Sequence, residues 1–400
     1  MKLSTLAASA TLGLSAIATA APSHSKTITY TTVKGYFLQD EPSTDPSTFD
    51  YTSHNFGLID RRYDSDKHDP NTRDLTQWER FHRELEYLNK HSPQHVSYKL
   101  VFMGRHGEGW HNAAESYFGT PGWNCYYSLL PGNTTHTWFD ADLTPEGVSQ
   151  ASIAHTYWQS QYAEQNIHFP DAYYVSPMTR ALKTANITFS GLPLPLDAPF
   201  IPEVKEGFRE GMSMHTCDHR RSKSYIESLF PWWTFEEGFT EEDELWTGVT
   251  AETEEAQDER SRDALDDIFS RSRRGPFWKS KPADVCGGPG HDHDHGHGED
   301  EKDLVISITA HSGEIASILR VIGHQPFGLS TGAVIPVLVR AEEVKEPDGP
   351  TASATWTHSA YCTAPPATST ASGCVCAASA PPVTSGFPVG GTTVPTPTPF

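Results

Sequence analysis

Tyr98-Lys99-Leu100-Val101-Phe102-Met103-Gly104 runs directly into Arg105-His106-Gly107-Glu108-Gly109-Trp110-His111-Asn112. The apolar run from Leu100 to Met103 is continuous rather than alternating, the pattern of a strand covered on both faces. Three glycines then fall within six residues, so the strand opens into a tight loop. Moving toward the N-terminus, Leu75, Trp78, Phe81, Leu85 and Leu88 share one helical face ahead of Ser92-Pro93. Moving the other way, Thr144-Pro145 reads as an N-cap followed by proline in the first helical turn. Residues 171–175, 303–309 and 333–340 read as further strands. A helix through Arg180 and Lys183 follows the first of these. Another, carrying Ile315, Ile318, Leu319 and Ile322 and capped by Gly323, follows the second. Strand and helix alternate, which predicts a three-layer α/β/α sandwich around a mainly parallel sheet.

Ligands of open α/β sheets bind where strands end, and Arg105-His106-Gly107 stands at such an end. Arg105 offers a planar fork matched to phosphate oxygens. A neutral imidazole at His106 can attack phosphorus and carry the phosphoryl group covalently. The N–H groups of Gly104, Gly107 and Gly109 are expected to form an anion nest. A lone Arg-His pair at a strand end is ordinarily a solvated or hydrogen-bonded surface feature, so the rest of the pattern decides.

That pattern resembles the histidine phosphatase superfamily, also called phosphoglycerate mutase-like, and most closely its fungal and plant branch with Arg-His-Gly-Glu-Gly-x-His-Asn. Here the string is complete from Arg105 to Asn112. Leu143-Thr144-Pro145-Glu146-Gly147, Ser176-Pro177-Met178-Thr179-Arg180-Ala181 and Thr309-Ala310-His311-Ser312-Gly313 follow in the order of the family, over about residues 98–340. The resemblance implies a phosphoglycerate mutase-like fold and His106 as nucleophile. It implies a phosphate clamp of Arg105, Arg180 and a protonated or donating His311, with Gly107 and Asn112 as further phosphate or substrate contacts. Phe208-Arg209-Glu210, followed by His215-Thr216-Cys217-Asp218, resembles the segment supplying the general acid. Glu210 is the expected acid, its pKa raised by Phe208 and Met212 or by the phosphate, and Glu206 is the rival. No cofactor or metal is implied, because arginines can supply the positive charge that phosphoryl transfer needs. The mutase element Glu-Arg-His-Tyr-Gly and the phytase string Arg-His-Gly-x-Arg-x-Pro are both missing from the sequence. Hydrolysis of a small phosphomonoester is therefore the leading expectation. A phosphomutase and a catalytically silent binding or cell-wall protein are the alternatives.

The remaining sequence bounds where and with what the protein works. Lys2, the apolar stretch of residues 3–17 and Ala18-Thr19-Ala20 predict a signal peptide of residues 1–20, hence a secreted or cell-wall protein. No other apolar run reaches the ~18 residues of a membrane span. Asn133-Thr134-Thr135 and Asn186-Ile187-Thr188 are sequons. Six cysteines are available for pairing, with the connectivity open. The formal net charge of −21 argues against nucleic acid and anionic membranes as partners, and nothing in the sequence sets an oligomeric state. One catalytic domain is expected over 21–345. It is interrupted by an acidic insertion at 236–267, read as a solvated face, and by a His-rich loop at 287–300. In that loop His291, His293, His295 and His297 form a weak metal-binding candidate beside the simpler reading of a solvated loop. Residues 346–400, rich in Ser, Thr and Pro, read as a disordered tail.

Overall fold

A computed structural model describes residues 26–67, 72, 74–196, 198–271, 303–345, 355–358, 361–370 and 373–376. The expected signal peptide and the His-rich loop lie outside the described residues. In chain order the elements are β1 (Lys26–Thr32), α1 (Gln77–His91), β2 (Val96–Arg105), α2 (Trp110–Phe118), α3 (Thr120–Cys125) and α4 (Pro145–Gln165). Next come β3 (Ala172–Val175), α5 (Thr179–Phe189), β4 (Glu203–Val204), α6 (Lys223–Leu229), β5 (Thr234–Phe235), β6 (Ala251–Glu252) and α7 (Glu254–Arg271). The chain continues with β7 (Val305–Ala310), α8 (Ser312–Val321), β8 (Val334–Lys345), β9 (Trp356–Thr357), β10 (Thr368–Thr370) and β11 (Gly373–Val375).

Seven strands form one sheet in the order β1-β8-β2-β7-β3-β4-β5. Pairing is parallel from β2 through β7, β3 and β4 to β5. It is antiparallel where β8 meets β2 and β1. Side chains of a strand alternate between faces, and the core divides accordingly. Val101, Met103, Ile306, Ile308, Ile335 and Val337 pack under α7 and α8. Leu100, Phe102, Val305 and Leu338 pack against Trp78, Phe81 and Leu85 of α1 and Trp158 of α4. Helices on both faces of a largely parallel sheet make the expected three-layer α/β/α class. No helix among the described residues is long and apolar enough to cross a membrane.

Three regions differ from the sequence reading. The segment before α1, polar and without hydrophobic period in sequence, adds edge strand β1. It also buries Tyr36, Phe37, Tyr51, Phe56 and Tyr63 in the second core, because aromatic anchors held by irregular turns leave no periodicity to read. The acidic stretch, expected as an insertion with a solvated face, contributes a helix to the core. Ala264, Leu265, Ile268 and Phe269 of α7 face the sheet, while its Asp258, Asp266 and Asp267 accept from Arg320, Tyr30 and Lys205. The tail is not wholly disordered: β9 pairs with β6, and disulfides Cys125–Cys374 and Cys362–Cys376 staple the segment around β10 and β11 beside α3. Cross-linking and edge pairing hold residues that could not fold alone.

Candidate active site

The sheet register brings the motif residues together. Arg105 pairs with Ala310 across β2 and β7, and Val175 pairs with Thr309 across β3 and β7. Three neighbouring strands therefore end level, and each is followed at once by a polar side chain: His106, His311 and Ser176. Backbone bonds from His106 N to Ala310 O (3.0 Å) and Ser176 N to Thr309 O (3.0 Å) carry the alignment one residue past the strands.

His106 is 2% exposed, and its Nδ1 lies 2.7 Å from Gly107 O. A carbonyl only accepts, so Nδ1 carries the proton and Nε2 keeps its lone pair. Burial holds the imidazole well below the usual histidine range, and Arg180 and Arg105 push the same way. His106 is thus a neutral nitrogen base in a cationic setting.

Arg180, in the first turn of α5, is 1% exposed and donates Nη1–H to Cys217 O at 2.8 Å. Asp140 fixes that turn by accepting from Thr179 N (2.8 Å) and Thr179 Oγ1 (2.6 Å). Arg105 donates Nη1–H to Leu329 O at 2.7 Å. The Nε of each arginine is buried without a partner. His311, the N-cap residue of α8, is fully buried. Its Nε2 is 2.7 Å from Ser176 Oγ, and its ring centroid is 5.0 Å from that of His106. Burial pushes His311 well below the usual histidine value, helped by Arg180 and the neighbouring rings. The ring is held neutral, so of the two forms expected from the sequence, protonated or donating, the protonated one would need an anion beside it.

Glu210 sits at the start of α8. Its Oε1 accepts from Gly211 N (3.0 Å) and Glu314 N (3.1 Å), and its Oε2 from Gly313 N (3.2 Å) and Ser312 Oγ (3.4 Å). The expected apolar surroundings are replaced by donors of the helix N-terminus, a natural carboxylate position. Gly313 is required there, because a Cβ would lie 2.2 Å from Glu210 Oε1. The rival Glu206 is committed elsewhere. It accepts from Arg220 Nε at 2.5 Å and Arg209 Nη1 at 3.2 Å.

The glycine nest does not form. The Gly107 N–H donates to Thr184 Oγ1 (2.9 Å) and the Gly109 N–H to Asn112 Oδ1 (3.0 Å), while Gly104 is paired within the sheet on both sides. Gly107 is needed for close approach instead, since a Cβ would meet Gly147 O at 2.3 Å. Asn112 closes the first turn of α2, its Oδ1 accepting from the Gly109 N–H. A residue to which the sequence reading gave no role is His111. It lies in the quoted string, 8% exposed, with its ring 5.3 Å from that of His106 and its Nδ1 buried without a partner. Its place in the first turn after the loop was the available signal. Asn133, in a turn, and Asn186, in α5, are both partly exposed.

Comparison with known proteins agrees with the geometry. A family model described as "Histidine phosphatase superfamily (branch 1)" matches residues 131–277, a span that contains Arg180 and Glu210 and lies between His106 and His311. The chain is 47% identical over 316 residues to a "Probable phosphoglycerate mutase" of Arthroderma benhamiae, covering 79% of this chain and 85% of that protein. It is 33% identical over 350 residues to "Phosphomutase-like protein 3" of Candida albicans, covering 86% and 92%. A "Probable phosphoglycerate mutase" of Saccharomyces cerevisiae is 30% identical over 273 residues, with 64% and 83% covered.

Proposed function

We propose that this chain, which belongs to the histidine phosphatase superfamily, hydrolyses a small phosphomonoester through a phosphohistidine at His106. The observation that carries the reading is a neutral His106 with a free Nε2, set beside buried Arg180 and half-buried Arg105, whose Nε atoms are both buried without a partner. In the first step the Nε2 lone pair forms a bond to phosphorus as the P–O bond to the leaving group breaks. Arg105, Arg180 and His311 hold the three equatorial oxygens. Glu210, a carboxylate whose charge acts on Arg105, takes the proton of the incoming phosphomonoester monoanion and passes it to the departing alkoxide. In the second step Glu210 takes a proton from water, the water oxygen bonds to phosphorus, and the N–P bond breaks to release inorganic phosphate. Every group named comes from the chain, so the reading calls for no metal.

Phosphate release from an aryl phosphate in the presence of EDTA, together with an acid-labile radiolabel on His106, is the expected result. His106→Ala should lower the rate by at least about 10³-fold. Undiminished release by that variant would sink the proposal, and so would silence of the wild type across a broad phosphate-ester panel, the outcome expected of a binding protein. The names of the fungal relatives favour a second reading, a phosphomutase. It is distinguished by transfer of the label to a second substrate hydroxyl rather than to water. Export to the outside of the cell is part of the same proposal, supported by the leader-like residues 1–20 and the two disulfides.

A further inference from the structure

Four nitrogens at the strand ends are buried without a hydrogen-bond partner: Nε of Arg105, Nε of Arg180, Nδ1 of His311 and Nδ1 of His111. Buried polar atoms are almost always paired, so those of Arg105, Arg180 and His311 mark a place shaped for a ligand, and the His111 ring stands 5.3 Å from that of His106 beside it. Three of the four nitrogens belong to residues the phosphotransfer proposal already uses. His111 does not.

The Nδ1–Cε1 edge of His111 lies against Gly109, where a Cβ would come within 2.7 and 2.8 Å of those two atoms. The Nε2–Cδ2 edge is the one turned away from the loop. Burial pushes this ring well below the usual histidine value, and Arg180, His106, Arg105 and His215 act in the same direction. His311 is the further titratable ring within reach of its field. The groups acting most strongly on His111 are therefore cationic or neutral, while the carboxylates of Glu210 at the start of α8 and of Asp218 act on Arg105 and Cys217. A phosphoryl dianion reverses the sign of the local field. Of the three histidines, His106 has its Nδ1–H on Gly107 O and must keep the Nε2 lone pair to attack. The Nε2 of His311 is engaged by the Ser176 hydroxyl. His111 has neither commitment.

We propose that His111 is a third histidine ligand of the bound phosphoryl group, holding it as an imidazolium, so that oxyanion binding takes up a proton from solvent. This rests on the reading of the strand-end cluster as a phosphate site, but it concerns binding and not turnover.

The probe is tungstate, a phosphate mimic whose own charge is constant near neutral pH, titrated into the full-length protein. Calorimetry in buffers of different ionisation enthalpy should register proton uptake on binding. Wild-type affinity should fall by up to about tenfold per pH unit above neutrality. His111→Gln should bind tungstate at least about tenfold more weakly and lose most of the uptake. Nitrogen-detected spectra of the wild-type imidazoles should show both His111 nitrogens moving to imidazolium positions when tungstate saturates the site. A flat affinity profile over roughly pH 6.5 to 8.5, a neutral His111 in the saturated wild type, or unchanged affinity and uptake in His111→Gln would each overturn the proposal. Tungstate binding with proton uptake but no phosphate release would sink the hydrolase reading and leave this one standing. Normal turnover with a flat binding profile would do the reverse.

Discussion

Two groups of buried arginines meet at the 3-10 turn Thr216–Asp218, and their surroundings are opposite. Arg209 and Arg220 are as buried as Arg180, each about 1% exposed. Arg209 donates to both carboxylate oxygens of Asp243 (2.8 and 2.7 Å) and to Glu206. Arg220 bonds Glu206 and the carbonyls of Thr240, Arg221, Glu241 and Glu242. Arg180 has a carbonyl bond to Cys217 and, among the described residues, no ion pair, Asp140 acting on it only at longer range. A buried charge is tolerable only when compensated. The first group has its counter-charge built in, and the second is left for an anion to complete. The two are mechanically joined, because Arg209 also donates to Asp218 O, next to the Cys217 carbonyl that orients Arg180.

The contrast can be broken most severely at Arg180. Arg180→Gln should reduce kcat/KM on the order of 10³-fold, about 4 kcal/mol of transition-state stabilisation. Its unfolding free energy in urea should stay within about 1 kcal/mol of wild type, since an uncompensated cation is removed. A large stability loss would place Arg180 with the structural group.

Asp243→Ala should do the opposite, costing 3 to about 5 kcal/mol of stability by stranding Arg209, read from the urea midpoint. Burial works to raise the Asp243 pKa, but the bonds and charge of Arg209 outweigh it and hold it at about 2, below the ordinary 3.8. The native state therefore binds this proton less readily than the unfolded chain. The stabilisation is present above pH 3.8 and is lost as pH falls through about 2. Asp243→Asn should flatten that acid limb by about 2 kcal/mol.

Glu314 tests the boundary between the two kinds of charge, because its backbone N–H holds Glu210 while its own carboxylate faces Arg260, Ser261 and Gln257. Burial pushes it up to about 7 from 4.5, against the pull of Arg260. Here the native state binds the proton more readily, so stability from this group declines as pH rises from 4.5 to about 7. Glu314→Gln should remove a slope amounting to roughly 3 kcal/mol over that window. An unchanged slope in thermal or urea melts would assign the pH dependence elsewhere. Gly107→Ala, where a Cβ would approach Gly147 O, should cost about 1 to 3 kcal/mol in urea melts and displace His106 relative to Arg180.

Much of the site was legible because strand ends and helix starts are local. The continuous run of residues 100–103 and the cap at Thr144-Pro145 depend on near neighbours, and both are found in place. Other parts misled for physical reasons. Glycine N–H groups looked free, but Thr184 and Asn112, brought up by folding and by a helix turn, take them. Acidic composition suggested solvent around residue 243, yet Arg209 lies 34 positions away in sequence and in direct contact. Spacing to His215-Thr216-Cys217-Asp218 favoured Glu210 over Glu206, but that Arg209 and Arg220 hold Glu206 could be seen only in the fold.

By itself the sequence determined which chemical groups stand at each strand end: an arginine and a histidine after β2, a serine after β3, a histidine after β7. That follows from short-range rules of pattern and capping. Only the tertiary structure decided that β7 lies between β2 and β3, which sets the His106 and His311 rings 5.0 Å apart. It also decided which buried arginines find carboxylates and which do not. Strand order and charge compensation are set by packing among elements far apart along the chain, where no local pattern reaches.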